Sequence, residues 1–126
     1  MLLDTHILLW FLNDDSKLAA TLKSLIEAEQ NIYVSVVSLW EIAIKLNIQK
    51  LQLQYPFADL ERLLEEQNIH IISISLADLE AYRQLPLHHR DPFDRLIISQ
   101  AKNRGYSLVS QDANFKLYDV ELIQTK

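Results

Sequence analysis

The sequence predicts an α/β domain in which helices pack on a mainly parallel β-sheet. Short apolar or β-branched runs, of which Ile32 to Val36 is the clearest, alternate along the chain with segments whose apolar residues recur at helical spacing. Strands that alternate with helices favour crossover connections, and crossover connections produce a parallel sheet. The single glycine and three prolines also argue against a turn-rich all-β fold.

Length and composition restrict the class of protein further. The 126 residues, 49% hydrophobic and 23% charged, are typical of one globular domain, which we expect to span residues 1 to 126. The absence of cysteine excludes a disulfide framework and a thiolate metal site, and it suits a reducing compartment. The longest apolar run, Ile7 to Leu12, is too short to span a bilayer. The acidic residue Asp4 argues against a signal peptide at the start of the chain. We therefore expect a cytoplasmic protein that does not associate with a membrane.

The first half of the chain is predicted to contain two strands and three helices. In order these are a very short strand over Met1 to Leu3, a helix capped by Asp4 or Thr5, a helix with its cap among residues 13–16 that ends near Gln30, a strand over Ile32 to Val36, and a helix over Ser38 to Leu46. Glu41 lies in the last of these helices with apolar residues on almost every side, so we expect that helix to be mostly buried. Lys45 lies four residues later and could form an ion pair with Glu41. Such a pair would explain a glutamate on a surface helix, but it explains a glutamate on a buried helix less well.

The second half of the chain continues the alternation. The predicted elements are a loop over residues 47–55, a helix from Pro56 to Asn68, a strand over His70 to Ile74, a helix from Leu76 past Tyr82 that is broken by Pro86, and, at the end, a short helix around Phe115 and a strand over Tyr118 to Ile123. The adjacent His88 and His89 would point in different directions on regular structure. A loop position or a contact to phosphate therefore fits His89 better than a shared metal ion.

The stretch between these elements contains a helix with both ends marked. Asp91 followed by Pro92 is typical of an N-cap and a first helical residue. Gly105, after a basic last turn, is suited to the left-handed conformation that ends a helix. A short β-prone run then leads into Ser110 and Asp112.

Asp94 lies in the first turn of this helix, at the edge of its apolar stripe. Arg95, Ser99 and Lys102 are predicted to face solvent instead. A carboxylate at the edge of a core-facing stripe is costly unless a cation or a hydrogen-bond donor meets it. The helix N-terminus supplies part of that compensation, so an ordinary first-turn acid and a functional acid are both open interpretations.

Three acids follow a strand or begin a helix, namely Asp4, Asp94 and Asp112. In a parallel α/β sheet these positions lie along the carboxyl edge, where ligands usually bind. Helix caps collect at the same edge, but Glu41 has no cap role. Four converging carboxylates would raise one another's pKa values unless a cation lay among them, and hard oxygen ligands suit Mg²⁺ or Mn²⁺. The net charge of −5 argues against the usual basic nucleic-acid footprint, although such a cation would change the local charge.

By elimination, metal-assisted phosphoryl chemistry fits these residues best. The chain lacks a cysteine nucleophile, a glycine-rich phosphate loop and a zinc-type histidine pair on one helix face. A receiver-like phospho-acceptor domain needs an acid pair after its first strand and a lysine after its last. A haloacid-dehalogenase-type phosphatase needs two aspartates flanking one residue. Asp4-Thr5-His6 satisfies neither pattern.

Four segments of the chain resemble the PIN-domain family, and within it the VapC-type toxins of toxin–antitoxin pairs. They are LLDTHILLW at the start, SLWEIAIK in the middle, and RDPFDRLIISQA and LVSQDANF near the end. The segments occur in the family's order and spacing over essentially the whole chain. The resemblance implies a three-layer α/β/α sandwich and a ribonuclease dependent on Mg²⁺ or Mn²⁺. It also implies RNA as substrate, a cognate antitoxin and a homodimer.

Carried over residue by residue, the resemblance implies a site with four acids. These catalytic and metal-binding acids are Asp4, Glu41, Asp94 and Asp112. Our hypothesis is that Asp4 and Asp94 bind metal directly, whereas the other two act through water or deprotonate it. The supporting residues are Thr5, Ser110 and Asp91, the last explained mainly by its N-cap role. The candidates for contact with RNA phosphate are Arg90, Arg95, His89 and Lys45.

The strongest alternative is a catalytically inactive PIN-like module that binds protein or RNA. Retention of all four acids argues against it. Apolar residues that could serve an antitoxin or dimer interface are Leu51, Leu53, Tyr55 and Phe57, although packing in the core is the simpler use for them.

Overall fold

The computed structural model describes residues 1–124 and contains a five-stranded parallel sheet. The strands are Leu2–Leu3 (β1), Ile32–Ser35 (β2), Ile69–Ile72 (β3), Leu108–Val109 (β4) and Leu122–Ile123 (β5). Their order in the sheet is β3-β2-β1-β4-β5, and every neighbouring pair is parallel. The predicted parallel α/β fold is therefore confirmed, whereas the predicted domain end at residue 126 lies outside the described residues.

Six α-helices connect and cover these strands in the described part of the chain. They are Thr5–Leu12 (α1), Ala20–Ala28 (α2), Val36–Asn47 (α3), Leu60–Glu66 (α4), Leu76–Arg83 (α5) and Pro92–Arg104 (α6). Two 3₁₀ segments, Phe57–Asp59 and Ala113–Leu117, precede α4 and follow β4. Both predicted ends of α6 are present, because Asp91 caps its first turn and Gly105 ends it at φ 69°.

The sheet separates two hydrophobic cores, which confirms the three-layer arrangement. Leu3 and Val109 pack with residues of α1, α2 and α4 on one face. Leu2 and Leu108, the preceding residues of the same strands, pack with α6 on the other face. Successive side chains of a strand point to opposite faces, so two strands of only two residues each serve both cores.

Burial differs from the prediction at two helices. Trp40 on α3 is 59% exposed, so that helix is less buried than its apolar sequence predicts. On α6 the error is the opposite, because Arg95 and Ser99 are buried rather than exposed to solvent. The reason is tertiary: α6 contacts the sheet on one side and α5 on the other. Only a narrow strip of α6, which includes Lys102, remains exposed.

Two further features bear on the possible partners of the protein. Within residues 1–124, no helix has both the length and the apolar content that are needed to cross a bilayer. Leu51, Leu53 and Tyr55 pack against the first core, as the simpler interpretation expects. Phe57 instead leaves 43% of its surface exposed.

Candidate active site

The central strands β1 and β4 deliver two of the predicted acids to one edge of the sheet. Asp4 follows β1 directly, and its backbone N–H donates to the carbonyl of Val109 at the end of β4 (3.0 Å). The Ser110 hydroxyl hydrogen-bonds the Asp4 carboxylate. The same hydroxyl oxygen accepts the backbone N–H of Asp112 at 3.0 Å. Ser110, which is fully buried, thus links the first and the last acid of the predicted set.

The other two acids come from helices that start at this same edge. Asp94 is in the first turn of α6, and Glu41 is in the second turn of α3. Burial, followed by the charges of Asp91, Glu41, Asp112 and Asp4, raises the pKa of Asp94 to about 7. Burial is also the largest cause that raises the pKa of Asp4, and the charge of Asp112 adds to it. The charges of the other three acids all act on the pKa of Asp94, so the four acids form one electrostatic cluster.

Glu41 carries an unsatisfied oxygen within this cluster. Its side chain is buried, and Oε2 forms an ion pair with Lys45 Nζ at 3.2 Å. The other oxygen, Oε1, is buried and has no hydrogen-bond partner among the described residues. A buried acceptor without a partner costs about 1–3 kcal/mol, and more when it is charged. A cation or a water molecule at this position would remove that cost.

These observations test whether the residues suit a divalent metal ion. Hard oxygen donors, the raised pKa of Asp94 and the unpartnered oxygen of Glu41 all suit Mg²⁺ or Mn²⁺. No three Asp, Glu or His side chains within residues 1–124, however, are arranged closely enough to hold one metal ion. The chemistry of the donors therefore fits such an ion, whereas their placement within residues 1–124 does not form a three-ligand site.

Two of the four predicted acids, and the supporting residue Asp91, also serve as N-caps. Asp4 Oδ1 accepts the backbone N–H of Ile7 at 2.8 Å. Asp91 Oδ1 accepts the N–H groups of Phe93 at 2.9 Å and Asp94 at 3.2 Å. Asp112 Oδ1 accepts the N–H of Asn114 at 2.9 Å, at the start of a 3₁₀ segment. Capping therefore accounts locally for these three acids, but it does not account for Asp94 or Glu41.

The supporting residue Thr5 connects two helices behind the acids. Its hydroxyl donates to Ser38 Oγ at 2.9 Å, and both side chains are buried. This bond joins the first turn of α1 to the first turn of α3, the helix that carries Glu41. No local sequence pattern predicts this role of Ser38, because its hydrogen-bond partner Thr5 is 33 residues away.

The four predicted phosphate contacts occupy different environments. Arg95 is buried, and its guanidinium donates to the carbonyls of Pro86 (2.9 Å) and Leu85 (3.4 Å), which ties down the loop before α6. His89 turns inward, and only 13% of its side chain is exposed. Lys45 is paired with Glu41. Only Arg90 of this set is exposed and makes no hydrogen bond or ion pair with the described residues.

Tyr118 is a central residue of the site region that the sequence did not identify. We predicted it to begin the last strand, but it follows the 3₁₀ segment and is only 6% exposed. Its hydroxyl is hydrogen-bonded to His89 and to Arg95. These contacts span 29 and 23 residues of sequence, so no local motif could have predicted them.

A family model and one curated relative match nearly all of the chain. The model of the PIN domain family matches residues 1–121. Ribonuclease VapC22 of Mycobacterium tuberculosis is 26% identical over 119 residues, which cover 92% of this chain and 89% of the relative.

Solved structures of similar fold include VapBC2 and FitAcB. One is a chain of VapBC2 from Rickettsia felis, in a structure that contains a DNA fragment from the promoter. It superposes with a TM-score of 0.70 at 20% identity, covering 97% of this chain and 96% of that one. A chain of FitAcB from Neisseria gonorrhoeae superposes with a TM-score of 0.67 at 21% identity, covering 98% and 96%. These similarities concern the fold, whereas the family match spans the segments that carry all four acids. The chain therefore belongs to the PIN domain family.

Proposed function

We propose that the protein is a metal-dependent endoribonuclease that acts as the toxin of a toxin–antitoxin pair. The observation that carries this proposal is the cluster of four carboxylates at the carboxyl edge of the sheet. Within it the pKa of Asp94 is raised to about 7, and Glu41 Oε1 has no hydrogen-bond partner among residues 1–124. Carboxylates held together at this electrostatic cost suit a cation-binding catalytic site. The ribonuclease name of the relative VapC22 agrees with this chemistry.

In the proposed mechanism, Asp4 and Asp94 would bind the metal ion directly, and Glu41 and Asp112 would act through water. A bound Mg²⁺ or Mn²⁺ would supply positive charge for the scissile phosphate and a more acidic water. Ser110 orients the Asp4 carboxylate by hydrogen bonding while it also holds the backbone of Asp112. Asp94 must release its proton to bind a cation, which its pKa of about 7 permits near neutral pH.

Glu41 is the residue placed best to accept a proton from the attacking water. Its Oε1 has no partner in the described part of the chain, whereas Lys45 holds Oε2 and thereby limits rotation of the carboxylate. A general base has to lie within hydrogen-bond reach of the proton that it removes. We therefore assign the base role to Glu41 and treat Lys45 as its orienting partner rather than as a contact to RNA.

The RNA contacts that we retain are few. Arg90 is exposed next to the site and remains our candidate for contact with phosphate. We remove Arg95 from this set because its N–H groups are engaged with backbone carbonyls and with Tyr118. With a net charge of −5, the protein is expected to bind RNA mainly through the metal site.

We also propose a cognate antitoxin, a homodimer and a cytoplasmic location. The names of the similar complexes, VapBC2 and FitAcB, support a protein partner for the toxin. A basic side chain of such a partner, placed among the four acids, would relieve the same repulsion as a metal ion does.

A catalytically inactive binding module is the second candidate. It is favoured by one observation, namely that no three acidic or histidine side chains within residues 1–124 could hold one metal ion. In that case the acids would bind a basic partner instead of a cation.

Cleavage of a mixed RNA pool by the purified protein would distinguish the two. The assay compares Mg²⁺, Mn²⁺ and chelator for the wild type, for Asp94→Asn and for Glu65→Gln, a control that removes an exposed acid on α4. Cleavage that requires both metal and Asp94 supports the nuclease. Absence of both cleavage and any metal-induced change in Tm would contradict it and favour the binding module.

A further inference from the structure

The hydroxyl group of Tyr118 lies at the centre of a small hydrogen-bond network beside the acid cluster. Three nitrogen atoms surround its oxygen: Arg95 Nη1 at 3.2 Å, the backbone N of His89 at 3.2 Å, and the ring Nδ1 of His89 at 2.7 Å. The Tyr118 side chain is buried, so the network has little access to water.

Counting donors and acceptors determines the direction of each bond. A guanidinium N–H and a backbone N–H can only donate, so Arg95 and the His89 backbone occupy the two lone pairs of the Tyr118 oxygen. The hydroxyl proton is then left for His89 Nδ1, which must accept it. A ring whose Nδ1 accepts carries its proton on Nε2 in the neutral form. Tyr118 and Arg95 thus hold His89 as the Nε2–H tautomer.

The Nε2–H group of His89 points toward the acid cluster. The Nε2 atom is 3.7 Å from Asp94 Oδ2, it is buried, and it has no hydrogen-bond partner among the described residues. Because Nε2 is buried, it is not available to an RNA phosphate in this arrangement. A shift of about 0.7 Å would bring Nε2 and Oδ2 within hydrogen-bond distance.

We propose that His89 is a positioning residue that donates from Nε2 to Asp94 Oδ2, with its tautomer selected by Tyr118. One oxygen of Asp94 would then be held by the protein, and the other would remain available to the metal ion of the proposed function, on which this role in catalysis rests. Partners in a second layer that orient metal-binding groups in this way commonly affect metal affinity by about 10–100-fold. The assignment replaces the predicted contact between His89 and RNA phosphate.

Two-bond ¹⁵N–¹H NMR correlations of the wild type, without metal, test the tautomer directly. We expect Nε2 to be protonated and Nδ1 unprotonated, and we expect the Nε2–H resonance to shift in Asp94→Asn. Replacing the hydroxyl in Tyr118→Phe should produce a mixture of tautomers. A wild-type ring protonated on Nδ1, or an Nε2–H resonance that does not respond to Asp94→Asn, would overturn the proposal.

A matched pair of substitutions tests the positioning role. The amide nitrogen of glutamine reaches the place of Nε2, whereas that of asparagine reaches only the place of Nδ1. We therefore expect His89→Gln to bind Mn²⁺ nearly as well as the wild type, and His89→Asn to bind it at least about tenfold more weakly. Equal affinities in wild type and His89→Asn would refute the role.

The failure of this proposal can be told apart from failure of the proposed function. If the wild type neither binds Mn²⁺ nor cleaves RNA, the metal-dependent nuclease fails, while the NMR measurement still decides whether His89 donates to Asp94. If His89→Gln and His89→Asn both unfold, the NMR spectra of the wild type and of Asp94→Asn still decide whether Nε2 of His89 donates to Asp94. If metal binding is normal and the tautomer is wrong, only the positioning proposal is lost.

Discussion

Replacing Asp94 with asparagine should stabilise the metal-free protein at neutral and higher pH. In the unfolded chain this carboxyl ionises near its ordinary pKa of 3.8, but burial and the neighbouring carboxylates raise the pKa to about 7 in the folded protein. A group whose pKa rises on folding stabilises the fold below the unfolded value and loses that contribution as the pH passes the folded value. Asparagine is neutral throughout and avoids this loss.

The size of the effect follows from the two pKa values. Their difference corresponds to about 4 kcal/mol of stability that the wild type loses between pH 4 and pH 7. The Asp94 side chain is 20% exposed, and solvent screening of a partly exposed group reduces the expected difference to about 2 kcal/mol. For a domain of this size, 2 kcal/mol corresponds to an increase in Tm of roughly 6–10 °C.

Urea unfolding in the presence of chelator, followed between pH 4 and pH 8.5, measures this difference. The difference in unfolding free energy between Asp94→Asn and wild type should be near zero at pH 4 and reach its maximum above pH 7. Glu65→Gln removes the same charge from an exposed position on α4 and should show no such pH dependence. Added Mg²⁺ should raise the Tm of the wild type but not that of Asp94→Asn.

The opposite sign would refute this reasoning. If Asp94→Asn is less stable than wild type at pH 8, the carboxylate takes part in favourable contacts that the electrostatic cluster does not include. A difference that stays constant from pH 4 to pH 8.5 would show that ionisation of Asp94 is not its cause.

Three further substitutions test other parts of the structure. Glu41→Gln should lower RNA cleavage by roughly 100-fold or more, because it removes the proposed base, while urea unfolding of the metal-free protein changes by less than about 1 kcal/mol. Asp78, fully buried and hydrogen-bonded by Arg104, has a pKa held below its ordinary value despite its burial. The ionised Asp78 therefore stabilises the fold above about pH 4, and this stabilisation is lost in acid. In urea unfolding, Asp78→Asn should lower the free energy of unfolding by about 3 kcal/mol at pH 7 and by less below pH 4. Gly105→Ala should cost about 1 kcal/mol in urea unfolding through its positive φ alone, because the added Cβ would meet no side chain or distant backbone of the described residues.

The amino-acid sequence alone predicted the order of the elements and the edge of the sheet at which the acids lie. The alternation of apolar runs predicts a parallel α/β sheet, and the residues flanking α6 predict both of its ends, because capping is local chemistry. The positions of Asp4 and Asp112 directly after strands and of Asp94 at a helix start predict a shared edge. These inferences hold because each depends on neighbours within about one helical turn.

The prediction that Arg95 is exposed failed for a reason that is not local. Helical spacing assigns one core-facing stripe to a surface helix, but α6 is covered on two sides, by the sheet and by α5. Arg95 is accommodated in this interior only because carbonyls of the preceding loop and the Tyr118 hydroxyl accept its N–H groups.

What only the tertiary structure decided is how the acids are held and what surrounds them. The sequence places a glutamate and a lysine on one face of α3. The burial of Glu41, with one oxygen that has no partner in the described chain, arises from packing against other elements. The tautomer of His89 depends on Tyr118, which is 29 residues away. The physical reason is the same in each case: caps and periodicity are short-range properties of the chain, whereas desolvation, pKa values and hydrogen-bond direction depend on groups that only the fold brings together.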